Sequence, residues 1–206
     1  MAATVLVDPT AAVDGPPPPP ESRARVLLVG TAFVTAAIAM LFIGLIAVYL
    51  ALRTQALVDV GSWIPADVVL PLTQPNMMML TLVLSMFTVQ WAVSAIKNDD
   101  RANTYLALAV TLLLAFSFIV EEGYLYSLMK LNLMTTPPLA SMIYAITGTH
   151  LAMIISAMIF VMLMGFRALA GQFTSRQHDG IAAAAMYWHV MVAIYALIWF
   201  VIFVTK

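Results

Sequence analysis

The chain has 206 residues, of which 63% are hydrophobic and 9% charged, and nine Lys and Arg against ten Asp and Glu leave a formal net charge of −1. An ordinary soluble domain is about 25% charged, so this composition, with a mean hydropathy of +0.99, excludes a water-soluble globule and points to an all-α bundle that crosses a membrane several times. Without a basic surplus there is no footprint for nucleic acid. Without cysteine there is no disulfide, thiolate metal site or cysteine nucleophile.

Residues 1–25 read as a disordered, proline-rich tail, with Asp8, Asp14 and five consecutive prolines from Pro16 to Pro20. A secretory signal places positive charge ahead of its apolar stretch. Here the lead is acidic and a full-length span follows, so the tail is expected to stay uncleaved. Residues 26–206 then form one transmembrane domain of five helices, because a lone apolar segment in hydrocarbon must close its own backbone hydrogen bonds.

The first span covers residues 26–52, between Arg25 and Arg53. The second, 76–96, begins behind Pro71 and Pro75, where proline is tolerated at a helix start. The third, 102–122, is expected to end at Glu121 and Glu122 as an interfacial pair. The fourth, 139–166, starts behind Pro137 and Pro138, and the fifth covers 180–205. His178 falls in the polar connection between the last two and is read as a solvated loop residue. Placing the N-terminus in the cytoplasm puts Arg23, Arg25, Lys97, Arg101, Arg167 and Arg176 on that side and Arg53, Lys130 and Lys206 on the other. The rule that basic residues stay inside therefore favours a cytoplasmic N-terminus and an outer C-terminus.

Polar groups inside the spans are few, so each calls for a partner or a function. His150 and His189 both fall roughly halfway across the bilayer. One reading has them ligate a haem between facing helices; another has each imidazole bond a carbonyl or hydroxyl of a neighbouring helix, such as that of Thr147 or Thr149. A lipid headgroup or a proton path is the third. Adjacent helical residues diverge by about 100°, so Glu121 and Glu122 cannot share one surroundings, and one of them is expected to face the bundle. Gln90 and Trp188 complete the intramembrane polar candidates for lipid or proton-linked roles. Gly148, Ala152 and Ser156 recur every four residues as a smooth stripe for close helix contact. Met77, Met78 and Met79 point in different directions on a helix start and suit flexible packing rather than copper. No nucleotide loop, hydrolase elbow or paired metal-binding motif is present, so the chain lacks the parts of a self-contained enzyme.

Five stretches, in order, carry a family resemblance: GLIAVYLALR at 44–53, TVQWAVSAIKNDDR at 88–101, GYLY at 123–126, YAITGTH at 144–150 and YWHVMVAIYALIWFVIF at 187–203. Together they resemble subunit III of the haem–copper oxidases in its short five-helix bacterial form. The resemblance implies an accessory subunit of a terminal respiratory oxidase, most often a cytochrome c oxidase, with quinol oxidase and nitric oxide reductase as neighbouring systems. It implies a multi-pass protein of the bacterial cytoplasmic membrane with a cytoplasmic N-terminus. Such a subunit binds no redox metal. Haem and copper belong to the catalytic subunit I and the copper-binding subunit II, while subunit III holds phospholipid and supports proton uptake and durability during turnover. This sequence departs from the family pattern at Ile38 and Val192, where an acid is usual, at Leu125, where a glutamate is common, and at Met153, where a second histidine often stands. Longer relatives carry two further helices ahead of these five.

Overall fold

A computed structural model describes residues 21–65, 68–129, 131–134 and 136–205. Of the tail expected at 1–25, residues 1–20 lie outside the described residues, as do Lys130 and Lys206, whereas 21–25 form the first turn of a helix instead of disordered chain. The described residues form five long α-helices and no strand: α1 Glu21–Asp59, α2 Thr73–Lys97, α3 Arg101–Met129, α4 Pro137–Leu169 and α5 Asp179–Ile198, the last continued by a π-helical turn over Trp199–Val204. Each is long and apolar enough to cross a membrane.

Local chemistry sets several of the ends. Pro137 and Pro138 occupy the first positions of α4, where a missing N–H costs no helix hydrogen bond. Asp100 caps α3, accepting from the Asn103 amide at 3.1 Å. Gly171, two residues past the last residue of α4, holds a φ of +74°, a left-handed conformation that glycine adopts without steric cost. Where apolar length had set the limits the helices overrun them: α1 begins at Glu21 and ends at Asp59, and α3 passes through Glu121 and Glu122 to Met129.

Helix α5 is the hub. It packs against α1, α2 and α4, while α3 lies along α2 and also touches α4. In their most apolar stretches 56% of α5 but only 17% of α1 is buried inside the protein, so α1 lies on the outside of the bundle, laid against α5. Lipid tails are as apolar as leucine, which removes the usual hydrophobic drive between helices and leaves packing and hydrogen bonds to hold the bundle. Those bonds converge on α5. The Trp188 indole N–H donates to Ser85 Oγ of α2 at 2.8 Å, the Tyr195 hydroxyl reaches the Pro75 carbonyl at 3.4 Å, and Trp199 donates to Asn76 Oδ1 at 2.8 Å. Toward α1, Arg53 donates to the hydroxyl and the carbonyl of Thr205, closing an open helix end. Near the start of α5 a methyl group on Gly180 would lie 2.8 Å from both Met164 Sδ and the Phe173 ring, so glycine lets α4 and its following loop approach.

At the same end of the bundle two connections meet. The Ser175 amide donates to Asp99 Oδ1 at 2.7 Å, joining the turn between α2 and α3 to the loop between α4 and α5. The Ser175 hydroxyl and amide, with help from Arg101, hold the Asp99 carboxyl below its ordinary range. A carboxyl whose folded pKa is depressed adds stability above its unfolded pKa and loses it as pH falls through the folded one. Acidification below about pH 4 should therefore loosen this contact while the spans stay intact. Amide exchange at Ser175 should accelerate there in the wild type and at every pH in Asp99→Asn; protection that ignores both changes would dismiss the contact.

Candidate functional site

Three polar groups are set within the membrane-spanning helices. The first lies on α3. Glu122 is buried, 1% exposed, and faces the hydroxyls of Tyr126 and Thr147, which are themselves 2.8 Å apart. Tyr126 follows Glu122 by four residues and so shares its face of α3, while Thr147 comes from α4 and also donates to the Ile143 carbonyl. Glu121 turns instead toward α2 and accepts from the Thr81 hydroxyl at 3.1 Å. One buried oxygen of each acid, Glu121 Oε2 and Glu122 Oε1, has no hydrogen-bond partner among the described residues. The two glutamates thus look to different helices inside a continuing helix, rather than closing it at an interface.

The second group is His150 of α4, fully enclosed. Its Nε2 lies 3.0 Å from the Met191 carbonyl of α5. Ring centroids of Tyr195, Phe118 and Phe42 stand 5.4, 5.7 and 6.0 Å away. This bond to a neighbouring helix carbonyl uses Met191 rather than Thr147 or Thr149, because Thr147 turns to Tyr126.

The third group is at the surface. His189 of α5 is half-buried and bonds through Nδ1 to the Ala185 carbonyl of its own helix at 2.5 Å, not to a neighbouring one. It lines an open groove of about 370 Å³ with Gln90 and Val93 of α2 and with Ala182, Ala185 and Met186 of α5. His150 in its aromatic cage and His189 in this groove occupy different surroundings. A second groove of about 260 Å³, walled by Tyr105, Leu108 and Leu112 of α3 and Met162, Gly165 and Phe166 of α4, is almost wholly apolar. Arg167, the residue after Phe166, donates to Gln172 Oε1 and sits 5.3 Å over the Phe173 ring.

The remaining sequence candidates divide. Trp188 is the largest fully buried side chain and ties α5 to α2. Gly148 is half-buried, while Ala152 and Ser156 are exposed, so the small-residue stripe is only partly internal; Ser156 still meets the Tyr187 hydroxyl of α5 at 2.7 Å. His178 is half-buried before the start of α5, its Nδ1 2.9 Å from the Ser175 carbonyl. Among the described residues no group of three or more His, Asp or Glu is placed to hold a metal ion. Sequence reasoning missed Thr81, Tyr126 and Ser85 as partners. Only Tyr126 could have been found, from its spacing to Glu122.

This arrangement defines a class: a multi-pass helical membrane protein whose intramembrane polar groups mainly join its own helices. The family model for cytochrome c oxidase subunit III matches residues 23–205, and the chain belongs to that family. A protein of Mycobacterium leprae named probable cytochrome c oxidase subunit 3 is 29% identical over 186 residues, covering 87% of this chain and 90% of its own length. One of the same name from Rickettsia conorii is 35% identical over 133 residues, 63% of this chain and 47% of its own. The cytochrome c oxidase subunit 3 of Pylaiella littoralis is 31% identical over 147 residues, 70% of this chain and 52% of its own. The aligned region thus spans about half the length of the last two relatives and nearly all of the mycobacterial one.

Proposed function

We propose that this chain is the accessory, non-redox subunit III of a terminal haem–copper respiratory oxidase in a bacterial cytoplasmic membrane. The observation that carries the reading is the family match over nearly the whole bundle. The names of its relatives favour cytochrome c oxidase over quinol oxidase or nitric oxide reductase. Haem and copper then reside in subunits I and II, against which this bundle stands. The N-terminus is cytoplasmic, as the basic residues suggest.

Two features suit the role. The apolar groove between α3 and α4 fits a phospholipid acyl chain. Glu121 and Glu122, each with a buried oxygen that has no partner among the described residues, are the groups suited to exchange a proton inside the membrane. The haem reading is not carried further, because His150 Nε2 is already engaged by Met191 and His189 lies in a separate groove.

The test is removal of the subunit. An oxidase lacking this chain should keep its haem content and its initial turnover but lose activity faster while it works. Equal durability with and without the chain would defeat the proposal.

A further inference from the structure

We propose that the groove between α2 and α5, marked by Gln90 and His189, is the seat of a transmembrane helix from another subunit of the oxidase, one that places a hydrogen-bond donor at mid-membrane depth. This inference rests on the accessory-subunit reading and adds to it a face, a depth and a chemistry of contact.

Depth comes first. At about 1.5 Å per residue, Gln90 lies seven residues, or about 10 Å, from Lys97 at the end of α2. His189 lies ten residues, or about 15 Å, from Asp179 at the start of α5. The two ends belong to the same side of the bundle, joined there by the Asp99–Ser175 contact between their connections. Both side chains therefore sit well inside a hydrocarbon layer of about 30 Å.

Hydrogen-bonding capacity comes second. Gln90 is exposed, and among the described residues its carboxamide has no partner. In a neutral imidazole the nitrogen facing a carbonyl carries the proton and the other accepts. His189 Nδ1 faces the Ala185 carbonyl, so Nε2 is an acceptor, and it too has no partner among the described residues. An acyl chain offers neither donor nor acceptor, and a lipid headgroup stays at the interface. A hydroxyl or carboxamide on a facing helix satisfies both groups at that depth.

Shape agrees. Ala182, Ala185 and Val93 floor the groove, and short side chains let another helix backbone come close. Helix α5 is the most buried of the five, and His189, Ala193 and Leu197 recur every four residues along the stripe it leaves accessible.

The experiment uses the intact complex, recovered from membranes through a tag on the catalytic subunit. A photoreactive benzophenone residue replaces Ala193, one turn from His189, and the adducts are identified by mass. The expected adduct joins this chain to a membrane-spanning segment of another oxidase subunit. In parallel, Gln90→Leu and His189→Leu should each lower retention of this chain during detergent washing by about threefold to tenfold, whereas Leu113→Ala on the exposed side of α3, away from the groove, should not. Adducts to phospholipid alone, or undiminished retention of both variants, would overturn the assigned face while wild-type co-purification upheld the accessory reading. A wild-type chain that does not come down with the catalytic subunit would overturn both.

Discussion

Replacing Trp188 by alanine should cost the bundle about 3–5 kcal/mol, the range for removing a large aromatic side chain from a packed interior. Trp188 has no exposed surface and is the bulkiest of the fully buried side chains. It stands on the helix that contacts α1, α2 and α4, so the void opens at the junction of the bundle rather than at its rim. In hydrocarbon the void is costly mainly through lost van der Waals contact, since apolar surface gains nothing there by leaving lipid.

Trp188→Phe separates packing from the hydrogen bond. It keeps most of the ring and removes the N–H that Ser85 Oγ accepts at 2.8 Å. Ser85 retains its own bond to the Leu82 carbonyl, so the loss should be about 0.6–1.7 kcal/mol, as for other interhelical bonds in membranes. Trp91, on the exposed side of α2, is the control, and Trp91→Ala should stay within about 0.5 kcal/mol. Reversible unfolding of the purified chain in mixed micelles measures all three. Equal losses for Trp188→Ala and Trp91→Ala would mean that α5 is not the hub.

The number and order of the spans were legible from apolar runs between charges, because hydrocarbon enforces helix wherever such a run is long enough. Which helix lies at the centre was not. The α4 and α5 spans share a mean hydropathy of 2.1, yet 28% of one and 56% of the other is buried. A residue facing lipid and one facing a neighbouring helix look alike in composition when the solvent is itself apolar. Gly148, Ala152 and Ser156 show the same blindness: their spacing defines a stripe but does not say whether it turns inward. The glutamates misled for another reason. Two adjacent acids look like a helix end until Thr81 of α2 and Thr147 of α4 are seen to meet them from either side, and those partners are distant in sequence. His150 was legible as a residue in need of a carbonyl on another helix, but only the packing of α4 on α5 selects Met191.

The second large effect is expected at Glu122, where lysine should disrupt the bundle and glutamine should not. Glutamine keeps the length of the side chain and an acceptor oxygen toward the Tyr126 and Thr147 hydroxyls, and it brings no charge into the buried site. The change should fall within about 1 kcal/mol of wild type. Lysine brings three donors and a longer stem into a site that is 1% exposed. The acceptors there are scarce: Thr147 and Tyr126 already bond one another, and Glu121 points to Thr81 on the opposite side. A cationic side chain deep in a membrane helix costs about 2.5–3.5 kcal/mol even on insertion scales that allow it to relax. The well-packed surroundings of Glu122 leave little room for that. Glu122→Lys should therefore lower the yield of folded chain in the membrane and its unfolding midpoint, while Glu122→Gln matches wild type in both. Equal behaviour of the two variants would mean that the Glu122 side chain reaches water or a lipid headgroup instead of Tyr126 and Thr147. A stable Glu122→Gln chain is also the means to separate roles inside the oxidase. If the carboxyl exchanges protons, that variant assembles normally yet shortens the working life of the complex, an outcome that a purely structural acid does not produce.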